Sequence, residues 1–451
     1  MPICPIDTSR YGSPEIREIF EEKTKLKYLL RVELALVKAL TDTGFIPESV
    51  PSKIEENLNK VKLSRVKEIE KKIGHELMAV VEALCEVCGD YAKYIHVGAT
   101  SNDILDTATS LQLKDALNII EKKLVKLITL LSDKAKKYGD LVMIGRTHGQ
   151  HASPVTLGFK FAVYACEMAR NLERLQELKK RVLVCKLGGP VGTMAAYGDK
   201  GLLVEKRFSE YVGLPPAEIY TQVLDRDRYA ELILWCSLLA SSLDRVATEI
   251  RNLQRTEIME LAEGFKYGVQ VGSSSMPHKA NPIKSEKVSG LAKVMRGLVV
   301  PALENIPLWH ERDLTNSSSE RFTIPLALII LDEMLRTMIE VIETLVVFPE
   351  NIKRNLELTQ GRAMSEAIVM KLFSKGVSRR EAYYRVKKLV EKSLLEKKSF
   401  KEVLMTDNFI RKYLSPNEIE EALKPENFLG EYSRLIDRAL NYANRVIEKS
   451  S

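Results

Sequence analysis

Along most of the chain, apolar residues recur at steps of three and four, the spacing of one helix face. Between Glu15 and Leu40 the pattern takes in Ile16, Ile19, Phe20, Leu26, Leu30, Val37 and Leu40. A second helical region runs from Lys53 to Val87, interrupted at Gly74. Three central segments exceed ordinary globular helix length. One spans roughly Asp103 to Lys137. Another follows Ser153-Pro154, which reads as an N-cap with proline at the first helical position. It carries Phe161, Tyr164, Met168, Asn171, Leu175, Leu178 and Val182, with no Pro or Gly between Gly158 and Gly188. The last carries Leu232, Cys236, Leu239, Leu243, Val246, Ile250 and Leu253, with neither Pro nor Gly from Ala217 to Glu263. Seams of this length predict bundle helices packed side by side and across subunits.

Strand signals are few; "RVLVCKLGGPVGTMAAY" has room for a short hairpin near Gly188-Gly189. "IPLALIILDEML", Ile324 to Leu335, stops at Asp332 and predicts a buried helix. After Pro349 the pattern becomes shorter and more charged, and Ser378 is expected to cap a helix through "SRREAYYRVKKLVEKSL". The expected fold is all-α in three mostly helical domains. These are an N-terminal domain over 1–106, a central long-helix bundle over 107–348 and a C-terminal domain over 349–451. A coiled-coil structural protein would share the seams but would not need the polar loops between them.

Composition narrows the class. Hydrophobic residues make up 45% and charged residues 29% of 451, ordinary for a soluble globular chain of several subdomains. No apolar run approaches the ~18 residues of a membrane span, and "MPICPIDTSRYGSPE" lacks a signal-peptide core. A cytoplasmic protein with no membrane association is expected. The net charge of +7 is spread along helix faces such as "RNLERLQELKKRV". Without an aromatic-interleaved basic patch it does not point to nucleic acid, and a small anionic substrate suits it equally well. The six cysteines are scattered, so no disulfide framework is expected. Cys85-x-x-Cys88 reads as the last turn of a helix ending at Gly89 rather than a metal site.

Polar chemistry gathers between the helices. His75, His96, His148, His151, His278 and His310 all fall at breaks or ends of the helical pattern. In "GRTHGQHASPVTLG", Arg146, Thr147, His148, Gln150 and His151 have no structural account. A histidine among hydrogen-bonding neighbours suits acid–base work. In "HVGATSNDILDT", one of Thr100, Ser101, Asn102 and Asp103 caps the following helix, and the others face a helix N-terminus that favours an anion. "WHERDLTNSSSERFTIP" repeats this design: Ser317-x-x-Glu320 reads as a capping box, and Arg312 and Arg321 flank it as an anion site. Arg10-Tyr11 sits in a short coil before Ser13-Pro14.

The densest segment is "GSSSMPHKANP", Gly272 to Pro282. With it the chain resembles the fumarase/aspartase superfamily. The pieces "SRYGSPE", "TSNDILDT", "GRTHGQHASPVTLG", "TQVLDRD" and "WHERDLTNSSSER" are similar to the branch that releases fumarate from succinylated purine nucleotides. The resemblance covers essentially the whole chain. It implies a helical homotetramer whose central long helices form the shared core, with active sites drawn from several chains and no cofactor or metal. It implies β-elimination of fumarate from adenylosuccinate to give AMP, and from the succinylated aminoimidazole carboxamide ribotide.

Residue by residue, the resemblance makes Ser273 the base with Ser274 beside it, His148 the general acid, and Glu286 the group that orients that histidine. Lys279 and Asn281 would face the carboxylate on which charge builds. Loop N–H groups and Lys279 are the means of stabilising a serine alkoxide, and loop closure would exclude water. Arg10, Tyr11, Ser317 and Arg321 match phosphate positions. Thr100, Ser101, Gln222 and Arg312 match positions around the succinyl and base portions. His75 matches a further active-site histidine and His96 a substrate-side one. Glu76 stands where the family usually has aspartate. Argininosuccinate lyase and carboxymuconate cycloisomerase share the signature loop but need no phosphate site. A non-catalytic descendant would have lost Ser273, His148 or Lys279. His278 is left with no assigned chemistry.

Overall fold

The computed structural model describes residues 4, 6–266 and 268–449. Helices dominate it. The strands among the described residues are short: β1 (Val142–Thr147) pairs antiparallel with β2 (Gln150–Thr156), and β3 (Leu261–Ala262) with β4 (Val346–Val347). The expected long helices are present as Ser101–Lys137, Leu157–Val182 and Asp227–Leu253. The "IPLALIILDEML" segment lies inside a fourth, Thr315–Thr344. Every seam residue from Phe161 to Val182 and from Leu232 to Leu253 is buried, as the period required. None of the described helices is long and apolar enough to cross a membrane.

The chain divides into two compact units. One comprises residues 1–124, 171–243 and 290–336. Its first helical run is two helices, Pro14–Phe20 and Glu22–Asp42, because Glu21 turns extended at φ −64 and ψ 141. Glu22–Asp42 packs against Gly201–Val212 around Leu36, Val37, Leu40, Leu77, Leu84 and Phe208. Leu63–Ile73 stops at Gly74, whose φ of 68 suits glycine, and Glu76–Cys88 stops at Gly89. Lys123 pairs with Asp332 and Lys179 with Glu121, while Trp235 donates to the Asn171 carbonyl at 3.0 Å.

The other unit comprises residues 125–170, 244–289 and 337–451. Here Lys160 pairs with Glu249 at 2.6 Å. Ile368, Leu372, Val386, Phe400, Leu404, Ile410 and Ile419 form the core of its C-terminal part. Ser378 caps Arg379–Leu395 by accepting from the Glu381 amide, as expected.

Three local expectations are corrected. Ser153 and Pro154 do not start a helix; they lie in β2, with Pro154 opposite Ile144. A two-residue turn keeps the chain extended to Thr156, and a two-stranded ribbon tolerates proline on its edge. The helix after it is capped by Thr156 Oγ1, which accepts from the Phe159 amide at 3.1 Å. Gly188-Gly189 does not form a hairpin. Cys185 makes one isolated parallel bridge with Pro216, and the two glycine amides turn to the Asp103 carboxylate at 2.9 and 3.0 Å. Ser317 is not a cap, because the helix already begins at Thr315, whose amide donates to Asp313 Oδ1 at 2.8 Å.

Asp103 also holds the Lys186 ammonium, and both side chains are 0% exposed. Removing one member of such a pair leaves an uncompensated buried charge. Asp103→Asn should therefore destabilise the fold by about 3–5 kcal/mol, measured as a drop in the thermal unfolding midpoint against wild type.

Candidate active site

In the first unit, a cavity of about 420 Å³ is lined by residues of six helices and by Arg226 and Arg312 from the segments between helices. Four cations, Lys25, Arg226, Arg312 and Arg321, meet four carboxylates there, Glu22, Glu76, Asp106 and Glu320. Of the residues expected at the site, Glu76, Arg312, Ser317 and Arg321 line it together. Gln222 joins them, its Oε1 accepting from Arg312 Nη1 at 3.1 Å while its Nε2 donates to the Pro190 carbonyl at 3.0 Å. Glu76 bridges Lys25 and Arg321. Burial opposes its charge, but the two cations outweigh burial and hold the carboxyl below its usual range.

His75 sits beside this cavity as the N-cap of Glu76–Cys88. Its Nδ1 accepts from the Met78 amide at 3.3 Å, which leaves the proton of the neutral ring on Nε2. His96 Nδ1 lies 2.7 Å from Glu33 Oε1, and Glu33 is fully buried. Burial disfavours the imidazolium, yet the Glu33 hydrogen bond and charge outweigh it and raise the ring above its ordinary value. Thr100 and Ser101 stand at the start of the Ser101–Lys137 helix, where the Thr100 amide donates to Asp103 Oδ2 at 2.8 Å. Arg10 and Tyr11 precede Gly12 and Ser13, whose amides donate to Glu333 Oε2 at 3.2 Å and Asp332 Oδ2 at 2.8 Å. Gly12 is required there: φ is 83, and a Cβ would meet Ile329 Cγ2 at 2.5 Å.

Asp106, Arg226 and Glu320 were not anticipated as a group. Arg226 is 3% exposed and grips Asp106 in a two-pronged bond, Nη1 to Oδ2 and Nη2 to Oδ1, each at 3.0 Å. Its Nε lies 3.1 Å from Glu320 Oε1, and Asn316 Nδ2 donates to Glu320 Oε2 at 3.0 Å. Burial pushes the Glu320 carboxyl up to about 7 despite the Arg226 charge, and Asp106 adds to the rise. The available signal was the pair Asp103 and Asp106 one turn apart on a long helix expected to be packed in a bundle, since buried carboxylates need partners.

The second unit holds the other expected residues. His148 and Gly149 have φ of 54 and 73 and close the β1–β2 hairpin as a two-residue type I′ turn, so the imidazole sits exposed at its tip. Arg146, just below it, makes a bidentate pair with buried Glu260 at 2.9 and 2.6 Å. His151 lies opposite Arg146; burial and then the Arg146 charge lower its ring from the ordinary value.

In the signature segment, Ser273 Oγ accepts the amides of Ser275 at 3.4 Å and Met276 at 3.2 Å. Its neck is closed by Asn281 Nδ2 donating to the Gly272 carbonyl at 2.8 Å, and a Cβ on Gly272 would meet the Lys279 carbonyl at 2.0 Å. Two residues not anticipated hold the far side. Gln254 donates to the Ala280 carbonyl at 3.1 Å, and Glu263 accepts the Lys284 and Ser285 amides at 3.2 and 2.6 Å. Ser274 and Lys279 are exposed on the loop, and Glu286 is exposed in the first turn of Ile283–Gly297. Among the described residues, the side chains of His148, Lys279 and Glu286 form no hydrogen bond or ion pair.

Long buried seams, a charge-lined cavity and a serine loop with its own N–H donors fit a lyase of the helical bundle type, and the comparisons agree. A family profile described as Lyase matches residues 9–297, and one described as Adenylosuccinate lyase C-terminus matches residues 361–439. The adenylosuccinate lyase of Pyrococcus abyssi is 52% identical over 99% of both chains, and that of Pyrococcus horikoshii 50% identical over the same shares. The crystal structure of 3-carboxy-cis,cis-muconate lactonizing enzyme from Pseudomonas putida superposes with a TM-score of 0.90 at 31% identity, covering 98% of this chain and 100% of that one. The chain belongs to the adenylosuccinate lyase family, a family of carbon–nitrogen lyases.

The raised Glu320 carboxyl gives a pH signature. Its proton is held more tightly folded than unfolded, so its contribution is fully present below about pH 4.5 and lost as pH rises through about 7. Glu320→Gln removes that loss. Its melting temperature should rise relative to wild type between about pH 5 and pH 8, by the equivalent of roughly 3 kcal/mol, read from paired thermal melts.

Proposed function

We propose that this protein catalyses β-elimination of fumarate from adenylosuccinate to give AMP, and the same cleavage of the succinylated aminoimidazole carboxamide ribotide. The observation that carries the reading is the pair of amide N–H groups on Ser273 Oγ, at 3.4 and 3.2 Å. Serine is a poor base unless its alkoxide is stabilised, and two fixed N–H donors with the Lys279 ammonium nearby in sequence supply that stabilisation. The names and identities of the relatives support the choice of substrate.

In this reading Ser273 takes the proton from the carbon beside a succinyl carboxylate, with Ser274 at its side. Lys279 and Asn281 meet the charge that builds on that carboxylate. The carbon–nitrogen bond then breaks, and His148, oriented by Glu286, delivers a proton to the departing purine nitrogen. Arg10, Tyr11, Ser317 and Arg321 take the phosphate. Thr100, Ser101, Gln222 and Arg312 take the succinyl and base portions, with His75, Glu76 and His96 on the substrate side.

Four copies assemble around the long helices and share their sites. Leu234 and Leu238, one turn apart on Asp227–Leu253, are 42% and 45% exposed, which suits a partner helix. His148 and Glu286 lack partners within the described chain, which suits completion by another copy. The protein acts in the cytoplasm on a free nucleotide, and the three successive segments 1–106, 107–348 and 349–451 correspond to its functional domains.

Offering adenylosuccinate and argininosuccinate separately should yield fumarate from the first only; a folded assembly giving none from adenylosuccinate would sink the assignment. Ser273→Ala and His148→Ala should each lower kcat by at least about 10²-fold while still binding substrate. Mixed assemblies of these two variants should regain part of the activity, because some sites then receive both intact groups. Assemblies shown to be mixed but inactive would rule out shared sites.

A further inference from the structure

Glu76 divides its carboxylate between two cations on different helices. Its Oε1 is 2.5 Å from Lys25 Nζ on Glu22–Asp42, and its Oε2 is 2.5 Å from Arg321 Nη2 on Thr315–Thr344. The carboxylate is placed from below: His75 caps the helix, and Glu76 is its first residue. Of the other carboxylates lining this cavity, Glu22 is engaged by Lys67, and Asp106 and Glu320 by Arg226. The Arg321 guanidinium is thus already paired with an anion of the protein's own.

We propose that Glu76 is an internal stand-in for a ligand phosphate, holding Arg321 until phosphate displaces it and so setting this site's affinity for phosphate-bearing ligands. This rests on the reading of Arg321 as a phosphate contact. The Arg321 side chain is 58% exposed and that of Glu76 28%, so their pair is half-solvated and weak enough to exchange. A phosphate dianion brings more charge and more acceptor atoms than a carboxylate, and therefore wins the guanidinium fork. Lys25 stays on Glu76 when Arg321 leaves, so the carboxylate is not stranded without a counter-charge. Glu76 is a specificity-determining residue here, and it acts by competition rather than by contact with the reacting atoms.

The test is binding of inorganic phosphate to the intact protein, measured by titration calorimetry for wild type, Glu76→Gln, Arg321→Ala and the double variant. Glu76→Gln should bind phosphate roughly two- to fivefold more tightly, and the gain should vanish when Arg321 is also absent. A merely structural role would weaken binding instead. Glu76→Ala, read in the same way, covers the case in which Gln prevents folding. Phosphate bound no more tightly by either Glu76 variant, with Arg321→Ala clearly weakened, overturns the stand-in while leaving Arg321 in the phosphate site. If Arg321→Ala binds as tightly as wild type, the phosphate reading of Arg321 fails first and the stand-in falls with it.

Discussion

Asp103 and Asp106 stand one turn apart near the start of the Ser101–Lys137 helix, and both are buried. A bare carboxylate in such a place would cost several kcal/mol, so each must recruit donors from elsewhere in the chain. Asp103 takes Lys186 and the amides of Gly188 and Gly189; Asp106 takes Arg226 and the Leu224 amide at 2.9 Å. Two loops far apart in sequence are thereby fixed against one helix face. The first loop leads to Pro190 and the second contains Gln222, which donates back to the Pro190 carbonyl. The position of Arg312, which donates to Gln222, follows from these buried charges rather than from any seam residue.

This arrangement explains why the cavity in the first unit is nearly neutral although it reads as an anion site. Four carboxylates balance its four cations, although Lys25 and Arg321 share Glu76 while Arg226 takes both Asp106 and Glu320. Arg226 is the extreme case, with Asp106 and Glu320 on either side and Tyr229 under its plane at 5.2 Å. Burial works against its charge, but the two carboxylates outweigh it and raise the guanidinium further still. A group so committed orders its neighbours and is not free to bind. Arg321, more exposed and tied through a single nitrogen to Glu76, keeps the freedom that Arg226 has given up.

Much of the fold was legible in the sequence because hydrophobic burial is periodic, and the seam residues from Phe161 to Leu253 went where their spacing sent them. The misreadings share one cause: a local motif was judged without the tertiary partner that decides it. Ser153-Pro154 has the form of a helix start, but pairing with Ile144 across the hairpin keeps it extended. Ser317-x-x-Glu320 has the form of a capping box, but Asn316 and Arg226 occupy the Glu320 carboxylate and Asp313 serves the first amide. Arg226 itself escaped notice because its partners lie 120 residues before it and 94 after it, and no spacing rule reaches that far. Ser273, His148 and Lys279 were singled out for a different reason: the family motif points to them, while periodicity is silent about loops.

The residues assigned to proton transfer are held by backbone geometry, in contrast to the charge-locked cavity. His148 is held by two consecutive positive φ values in a turn that only a few residue types accept, and among the described residues its ring makes no hydrogen bond or ion pair. Ser273 is fixed by two amides of its own loop, and that loop by the Gly272 neck, where no larger residue fits against the Lys279 carbonyl. A side chain that must gain or lose a proton cannot also serve as a structural ion pair, because its pKa would then follow the needs of the fold. Backbone placement leaves the imidazole and the Ser273 hydroxyl without an ion-pair partner among the described residues. The chain thus uses two means of placement: buried carboxylates order the polar cavity, while turns and loop amides present the groups proposed to move protons.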